Sequence, residues 1–237
     1  MAIVAGSADP TNPEIARKKA RFIQKKNIAN VKIHPNSAYP AARNDLALVE
    51  IEGKFRFRNS RWPICIPEVS APRDSHSRIG YTMLGFGRDI NREKRGNVLT
   101  ELDMTVQPTS ACSTLYGRIL DDQDNDYFTQ TRISLPKNFD EESLICSQKP
   151  GKSSGSCPGD SGGLIMKNEW VDTLEDYRAF QVAVIHGAAQ KCNGQRYPQI
   201  LIRLDTSETI SWINSIVFSK GGMYLLFCIG QPDNHIG

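Results

Sequence analysis

The chain has 237 residues, of which 39% are apolar and 23% charged, and its net charge is +3. These proportions are ordinary for a globular protein with a buried core, which excludes fibrous and disordered classes. So small a net charge gives no reason to expect a nucleic-acid partner, and we interpret the basic stretch 17–21 as solvated surface. The apolar run Met223–Gly230 is far shorter than the roughly 20 residues that span a bilayer, so no membrane span is expected.

Short β-like runs separated by Gly, Pro, Asn and Asp clusters dominate the chain, which predicts an all-β sandwich or barrel. A helical period is clearest over Thr206–Phe218 and weaker over Ser110–Leu120. The stretch Glu68–Arg78, with two prolines, is typical of a linker between two halves. The predicted strands are Val31–Ile33, Leu46–Ile51, Tyr81–Leu84, Leu102–Val106, Gly163–Met166, Phe180–Ile185 and Ile200–Leu204.

The six cysteines are widely spaced, and no two of them form a C-x-x-C pair. Zinc ligands usually come in such close pairs, so no metal site is expected, and no motif implies a cofactor. Wide spacing favours disulfides and therefore an oxidising compartment. The opening Met1–Pro10 has neither the basic start nor the apolar core of a signal peptide. We therefore expect a secreted protein whose true start lies upstream of Met1.

The segment Ser156–Gly163, Ser-Cys-Pro-Gly-Asp-Ser-Gly-Gly, is the most informative stretch. Glycines allow unusual backbone conformations and close approach of a substrate, and two N–H groups beside Ser161 could stabilise an oxyanion. A bare G-x-S-x-G also marks the nucleophile elbow of α/β-hydrolases, but the strand–elbow–helix context of that class is missing. Taken alone, the block is compatible with either a catalytic serine or a plain glycine-rich turn.

Gly-Asp-Ser-Gly-Gly preceded by a cysteine resembles the active-site serine block of the chymotrypsin/trypsin family. Further landmarks match that family in order between Val4 and Phe218. They are Asn44–Leu48 (N-D-L-A-L), Ile64–Pro67, Gly85–Gly87 (G-F-G), Leu144–Cys146, Pro198–Leu204 and Ser211–Ile213.

The resemblance implies a double six-stranded Greek-key β-barrel whose first barrel is incomplete, followed by a C-terminal α-helix. On this basis residues 1–68 are the remainder of the N-terminal barrel and 69–79 the inter-barrel linker. Residues 80–218 are then the C-terminal barrel with its helix, and 219–237 are a tail of unassigned structure.

The resemblance also implies roles for individual residues. Ser161 would be the nucleophile, the N–H groups of Gly159 and Ser161 would form the oxyanion hole, and Asp45 would orient the catalytic imidazole. Asp160 would pair with the N-terminal ammonium that zymogen cleavage releases. The implied activity is that of a serine endopeptidase working through an acyl-enzyme, with a polypeptide substrate or protein ligand as its partner.

The family's catalytic histidine, in a T-A-A-H-C motif before the aspartate, is absent from this chain. Only His34 precedes Asp45, and it matches a non-catalytic strand of the family. His186 stands where the family has S-W-G, so we expect a partly exposed residue of the substrate cleft rather than one that touches bound peptide. This absence predicts a nearly inert chain. A non-catalytic homologue that serves as a binding or regulatory module is the alternative.

Two departures concern the cleft. Ile185 replaces the serine that usually hydrogen-bonds the triad aspartate, so Asp45 is expected to lack both a hydroxyl and an imidazole partner. Gly155 stands at the floor of the specificity pocket, which Gly187 and Gln199 would also line. The floor therefore carries no acid, and Gln199, in place of a glycine, partly fills the pocket. Small or apolar substrate side chains are the expected preference.

The resemblance implies two disulfides, Cys112–Cys146 and Cys157–Cys192. Cys65 would pair with a pro-segment cysteine in relatives, and Cys228 has no counterpart. These two either pair with each other or are both free.

Overall fold

The computed structural model describes two groups of strands and a helix that joins them. The described residues are 1–9, 14, 23–38, 42–57, 62–69, 80–87, 98–107, 111–112, 114, 142–148, 155–157, 159–187 and 199–217.

The first group is a three-stranded antiparallel sheet in the order β1-β2-β3. It consists of β1 (Ala2–Ala5), β2 (Gln24–Ile33) and β3 (Ala47–Ile51). None of the residues in these strands is fully buried. Val31 lies opposite Val49, and the two side chains are 49% and 45% exposed. The three strands therefore contribute no fully buried side chain to a hydrophobic core.

The second group is a closed barrel in the order β4-β5-β6-β9-β8-β7, with every neighbouring pair antiparallel. Closure pairs every strand on both sides, and alternating residues point into a shared core. Ile165, Ala183 and Leu201 are fully buried there. The strands are β4 (Tyr81–Gly85), β5 (Thr100–Val106), β6 (Leu144–Gln148), β7 (Leu164–Val171), β8 (Asp176–Gly187) and β9 (Gln199–Arg203).

A second hydrophobic cluster joins the region before β3 to the barrel. Ala42 and Leu46 pack with barrel residues and with Trp212 of helix α1 (Ser207–Val217). Thr206 caps the N-terminus of this helix, because its Oγ1 accepts a hydrogen bond from the N–H of Thr209 at 3.1 Å. Side-chain capping of this kind satisfies a backbone donor that the helix itself leaves unpaired.

Polar contacts reinforce the same junction. The Glu208 carboxylate accepts hydrogen bonds from the side-chain amides of Asn36 and Asn44, at 2.6 and 3.3 Å. His34 is 2% exposed, and its ring meets Trp212 edge-on with the centroids 4.6 Å apart. Helix α1 thereby connects the segment between β2 and β3 to the barrel.

The predicted all-β class with a barrel and a C-terminal helix is confirmed. Of the predicted strands, that at Tyr81–Leu84 matches almost to the residue, whereas β2, β7 and β8 are longer than expected. β6 was not predicted as a strand. The tail 219–237 and most of the linker 69–79 lie outside the described residues, so the domain boundaries stay a prediction. The weaker helix over Ser110–Leu120 also lies mostly outside them.

The disulfide Cys112–Cys146 is confirmed. Cys65 and Cys157 are disulfide-bonded as well, so the alternative of a free Cys65 is wrong. Cys192 and Cys228 lie outside the described residues, and the pairing Cys157–Cys192 stays a prediction. No helix in the described part of the chain is long and apolar enough to cross a membrane.

Candidate active site

Ser161 lies exposed on a tight turn that leads into β7. Gly159 and Gly162 on either side of it have φ angles of 104° and 84°, a region that favours glycine. The N–H of Gly162 donates to the Ile185 carbonyl of β8 at 2.8 Å, and the N–H of Ile185 donates to the Gly163 carbonyl at 2.9 Å. The serine turn is therefore fixed to the barrel wall by its own backbone.

The backbone donors of this turn fall into two groups. The N–H groups of Asp160, Gly162 and Gly163 donate to carbonyl oxygens at 2.8–2.9 Å. Within the described residues, no acceptor contacts the N–H groups of Gly159 or Ser161. Two unused donors beside an exposed serine hydroxyl form an arrangement that can stabilise a developing negative charge.

Asp160 is buried beneath this turn, with 6% of its surface exposed. Its carboxylate accepts the Gly87 N–H at 2.6 Å and the Cys157 N–H at 2.8 Å. A Cβ added to Gly87 would lie 2.3 Å from the Asp160 Cγ, so only glycine permits this approach. Among the described residues no cation pairs with Asp160. Its predicted pairing with a released ammonium stays a prediction.

Asp45 stands on a strained turn just before β3. Asn44 has a φ of 50°, and its carbonyl accepts the Leu46 N–H at 2.7 Å. A left-handed conformation at a residue other than glycine persists only where the surroundings enforce it. Here the Asn44 amide is held by Glu208 of helix α1. The turn presents the Asp45 side chain outward, 58% exposed.

The imidazole of His186 contacts this carboxylate. Its Nδ1 lies 2.8 Å from Asp45 Oδ2, and the ring is 12% exposed. The prediction that Asp45 lacks an imidazole partner was therefore wrong. Chiefly through this hydrogen bond, His186 holds the pKa of Asp45 below its usual value, against the opposing effect of burial.

The hydrogen bond also defines the protonation of the imidazole. A carboxylate only accepts, so the neutral ring carries its proton on Nδ1 and leaves a lone pair on Nε2. Nε2 is buried and has no hydrogen-bond partner in the described part of the chain, Ser161 included. A buried polar atom without a partner normally costs stability and needs an explanation.

His186 lies at an irregularity of β8 that its sequence did not indicate. The register against β9 shifts between Ile185 and Gly187, the two residues that flank it. Ile185 turns into the barrel core, where its Cδ1 would lie 3.1 Å from a Cβ on Gly163. The sequence did contain one signal for this contact. The serine hydroxyl expected at position 185 is absent, and the next residue, His186, carries a titratable ring. Only the fold brings that ring to Asp45, 141 residues away.

The predicted pocket residues lie on two strands and in a loop, and their assignment to one pocket stays a prediction. Gly187 ends β8 opposite Ile200, and Gln199 begins β9 with 2% exposure. The Ser147 hydroxyl donates to Gln199 Oε1 at 3.4 Å, while the Gln199 Nε2 has no partner among the described residues. Gly155 is partly buried in the loop before Cys157. The hydrogen bond from Ser147 to Gln199 was not predicted, because it depends on the pairing of β6 with β9.

His34, by contrast, belongs to the structural core. Its Nδ1 accepts the Asn36 N–H at 3.2 Å, and its ring packs on Trp212. That His34 is not the base stays a prediction. His76 and His235 lie outside the described residues.

The sequence is similar to several proteases of arthropods. It is 22% identical over 194 residues to the clotting factor G beta subunit of Tachypleus tridentatus, covering 81% of this chain and 56% of that protein. It is 24% identical to a venom protease of Bombus pensylvanicus, over 73% of this chain and 60% of the relative. A venom serine protease of Polistes dominula is 26% identical, over 69% and 49% of the two chains.

The chain thus spans between about half and three-fifths of these three relatives' own lengths. The family model described as Trypsin matches residues 12–213, which include the Asp45 turn, the whole barrel and the serine turn. With the barrel, the exposed serine and this match together, the chain belongs to the trypsin family of serine proteases.

Proposed function

We propose that the protein is a serine endopeptidase that cleaves polypeptides through an acyl-enzyme on Ser161. The observation that carries the proposal is the serine turn itself. It exposes Ser161 beside two N–H groups without acceptors, and Ile185, which anchors the turn, directly precedes an imidazole bound to a carboxylate. Nucleophile, oxyanion donors and a base–carboxylate pair are the groups that acyl transfer requires.

The reaction consists of two acyl transfers. Ser161 Oγ attacks the scissile carbonyl carbon and gives up its proton to a base, and the carbonyl oxygen becomes an oxyanion near the N–H groups of Gly159 and Ser161. The C–N bond then breaks, and the base returns the proton to the leaving amine. Water repeats the sequence on the acyl-enzyme, which releases the acid and restores the serine.

The substrate preference follows from the pocket. No acid stands at position 155, so we propose that side chains of Arg and Lys are disfavoured. Gln199 occupies space that a glycine would leave open, which favours small or apolar side chains.

We also propose an extracellular location. The disulfide Cys112–Cys146, together with the disulfide-bonded Cys65 and Cys157, requires an oxidising compartment in most organisms. Relatives named venom proteases support the same location.

A peptide library with free termini tests the activity. We expect cleavage products whose new C-termini are small or apolar residues, at a rate that Ser161→Ala abolishes. Gln199→Gly should widen the preference toward larger side chains. Wild-type protein that yields no products above the Ser161→Ala background would contradict the proposal.

A non-catalytic homologue that binds polypeptides is the second candidate. It is favoured by Ile185, which offers Asp45 no hydroxyl. The 58% exposure of the Asp45 side chain points in the same direction. Calorimetric titration with uncleaved library peptides distinguishes the two, since a binding module retains peptide without turnover and is unaffected by Ser161→Ala.

A further inference from the structure

We propose that the outer end of the β7–β8 hairpin is a docking surface for a basic segment of another polypeptide. This surface, called the hairpin tip below, consists of the aromatic residues Trp170 and Tyr177 and the acidic residues Asp172 and Glu175 between them. All four residues are exposed. The surface goes beyond the proposed function and does not depend on it.

The hairpin extends beyond the neighbouring strands of the barrel. β7 pairs with β4 no further than Met166, and β9 pairs with β8 only from Ala183 onward. β7 and β8 nevertheless continue to pair with each other as far as Val171 opposite Asp176. A two-stranded ribbon is marginally stable by itself in water, so a projecting ribbon depends on contacts between its own side chains.

One face of the projecting ribbon carries an aromatic pair. Trp170 lies directly opposite Tyr177, and the two rings meet edge to face with their centroids 5.3 Å apart. Cross-strand aromatic pairs stabilise a ribbon of this kind. The two residues nevertheless stay 51% and 63% exposed. Trp and Tyr are enriched at protein interfaces, so an exposed pair of them is a candidate contact surface.

The charges on the other face of the ribbon neutralise one another. Lys167 pairs with Glu169, and Arg178 pairs with Asp176. Glu169 lies opposite Arg178 in the register, so the two ion pairs are neighbours. Lys167 and Arg178 are the only Lys or Arg residues of the hairpin sequence, and both are therefore engaged away from the aromatic face.

The turn between the two strands carries negative charge that is not neutralised. Asp172 and Glu175 are its two ends, and the N–H of Glu175 donates to the Asp172 carbonyl at 3.2 Å. Across the part of the chain that the structure describes, neither carboxylate forms an ion pair. The hairpin tip is therefore acidic in a chain whose net charge is +3.

Aromatic rings and carboxylates attract the same chemical group. A guanidinium or ammonium group is attracted to the face of a Trp or Tyr ring, and nearby carboxylates add to this attraction. The apolar stem of an Arg or Lys side chain can also cover ring surface that water now contacts. A basic polypeptide segment supplies several such side chains in a row. An acidic segment would be repelled by Asp172 and Glu175.

The test is a titration of the full ¹⁵N-labelled chain with a peptide in which Arg alternates with Gly and both ends are blocked. We expect the indole N–H signal of Trp170 to move with saturation, and that of Trp212 in helix α1 to stay unchanged. Added salt should weaken the binding, because it screens charges at an exposed surface. A blocked peptide in which Glu alternates with Gly should move neither signal.

The aromatic pair is tested by the affinity for a fluorescently labelled Arg–Gly peptide, measured by anisotropy. We expect Trp170→Ala and Tyr177→Ala each to weaken the affinity by about two- to fivefold, the usual range of cation–π attraction at exposed sites. Phe86→Ala is the control. Phe86 is 41% exposed and follows β4 at the end where Leu84 pairs with Leu164, the opposite end of β7 from the hairpin tip.

The acidic residues are tested by the double variant Asp172→Asn with Glu175→Gln. We expect weaker binding of the Arg–Gly peptide and a smaller effect of salt on that binding. The control is Glu101→Gln with Asp103→Asn, which removes two exposed carboxylates from β5. This control should bind the peptide like the wild type. Retained near-UV circular dichroism verifies the folding of every variant.

The outcomes decide which occupant the surface takes. Equal binding of the Arg–Gly and Glu–Gly peptides, or an affinity that no hairpin variant changes, would overturn the proposal. A Trp170 signal that moves when the protein alone is concentrated would assign the surface to a second copy of the chain and would also overturn it. None of these measurements involves Ser161, so their failure leaves the proposed endopeptidase activity intact.

Discussion

His186 Nδ1 and Asp45 Oδ2 lie 2.8 Å apart, although 141 residues separate them in the sequence. The contact joins the strained turn before β3 to the barrel strand that anchors Ser161. The serine turn is hydrogen-bonded to the same strand through Ile185, the residue that precedes His186.

The pKa of Asp45 depends on this contact. His186 holds it below the ordinary value of 3.8, so the carboxylate stays ionised further into the acid range in the folded protein than in the unfolded chain. Its contribution to stability is therefore present above pH 3.8 and lost as the pH falls through the lower, folded pKa. We expect His186→Phe to raise the pKa of Asp45, as measured by ¹³C NMR of its carboxyl carbon. An unchanged Asp45 titration in this variant would contradict the contact.

His34 should make the fold sensitive to mild acid. Burial lowers its pKa from 6.5, more than the nearby Glu208 carboxylate raises it. Below pH 6.5 the unfolded chain gains a proton that folded His34 does not, so the free energy of unfolding falls until the pH reaches the folded pKa. Urea titrations between pH 7.5 and 5 measure this.

The matched variant is His34→Asn. We expect it to be less stable at pH 7.5 by about 1–3 kcal/mol, because it loses packing on Trp212, but to show a shallower decline with acid. An equally steep decline would assign the pH dependence to another group.

A side chain at position 87 should lower the reactivity of Ser161, because Gly87 packs against the Asp160 carboxylate beneath the serine turn. In Gly87→Ala the new Cβ would collide with the Asp160 carboxylate, 2.3 Å away at Cγ, and displace the serine turn. A shift of about 1 Å in a catalytic group can cost about 100-fold in rate, so we expect labelling of Ser161 by an organofluorophosphonate to slow by that order. Gly80→Ala is the control, since nothing lies within 4 Å of its added Cβ. Equal rates in the two variants would show that Asp160 does not position the serine.

Stability should be unequally distributed between the two groups of strands. Leu201 is fully buried in the barrel, and Leu201→Ala should cost about 2–5 kcal/mol. Val31 is 49% exposed on β2, and Val31→Thr should change the free energy of unfolding by less than about 0.5 kcal/mol. Amide exchange should likewise be faster in β1–β3 than in β7–β9. Similar costs for the two substitutions would contradict this division.

Motif and turn chemistry predicted much of the fold. The apolar strands from Tyr81 and from Ile200 alternate with turn residues, and the family landmarks give their order. β6 was missed because Leu144–Gln148 pairs with β5 and β9, which lie far away in the sequence, β9 by more than 50 residues. Such pairings depend on chain topology, which local patterns do not encode.

Some residues of the candidate site were likewise predictable from the sequence, and others were not. Ser161, with its glycines, is a local motif and was identified from sequence, as was Asp45 by its place in N-D-L-A-L. The Asp45–His186 pair was not foreseen, because it joins two regions that only folding brings together and because His186 occupies a position usually filled by tryptophan. A search for a histidine in its usual motif could not find an imidazole on another strand.

The reactivity of Ser161 is tested most directly by the intact mass of the protein after incubation with an organofluorophosphonate at pH 8. We expect one covalent adduct per chain, located on the peptide that contains Ser161, and none in Ser161→Ala. Wild-type protein that is folded, retains the Cys112–Cys146 disulfide and yet acquires no adduct would contradict it.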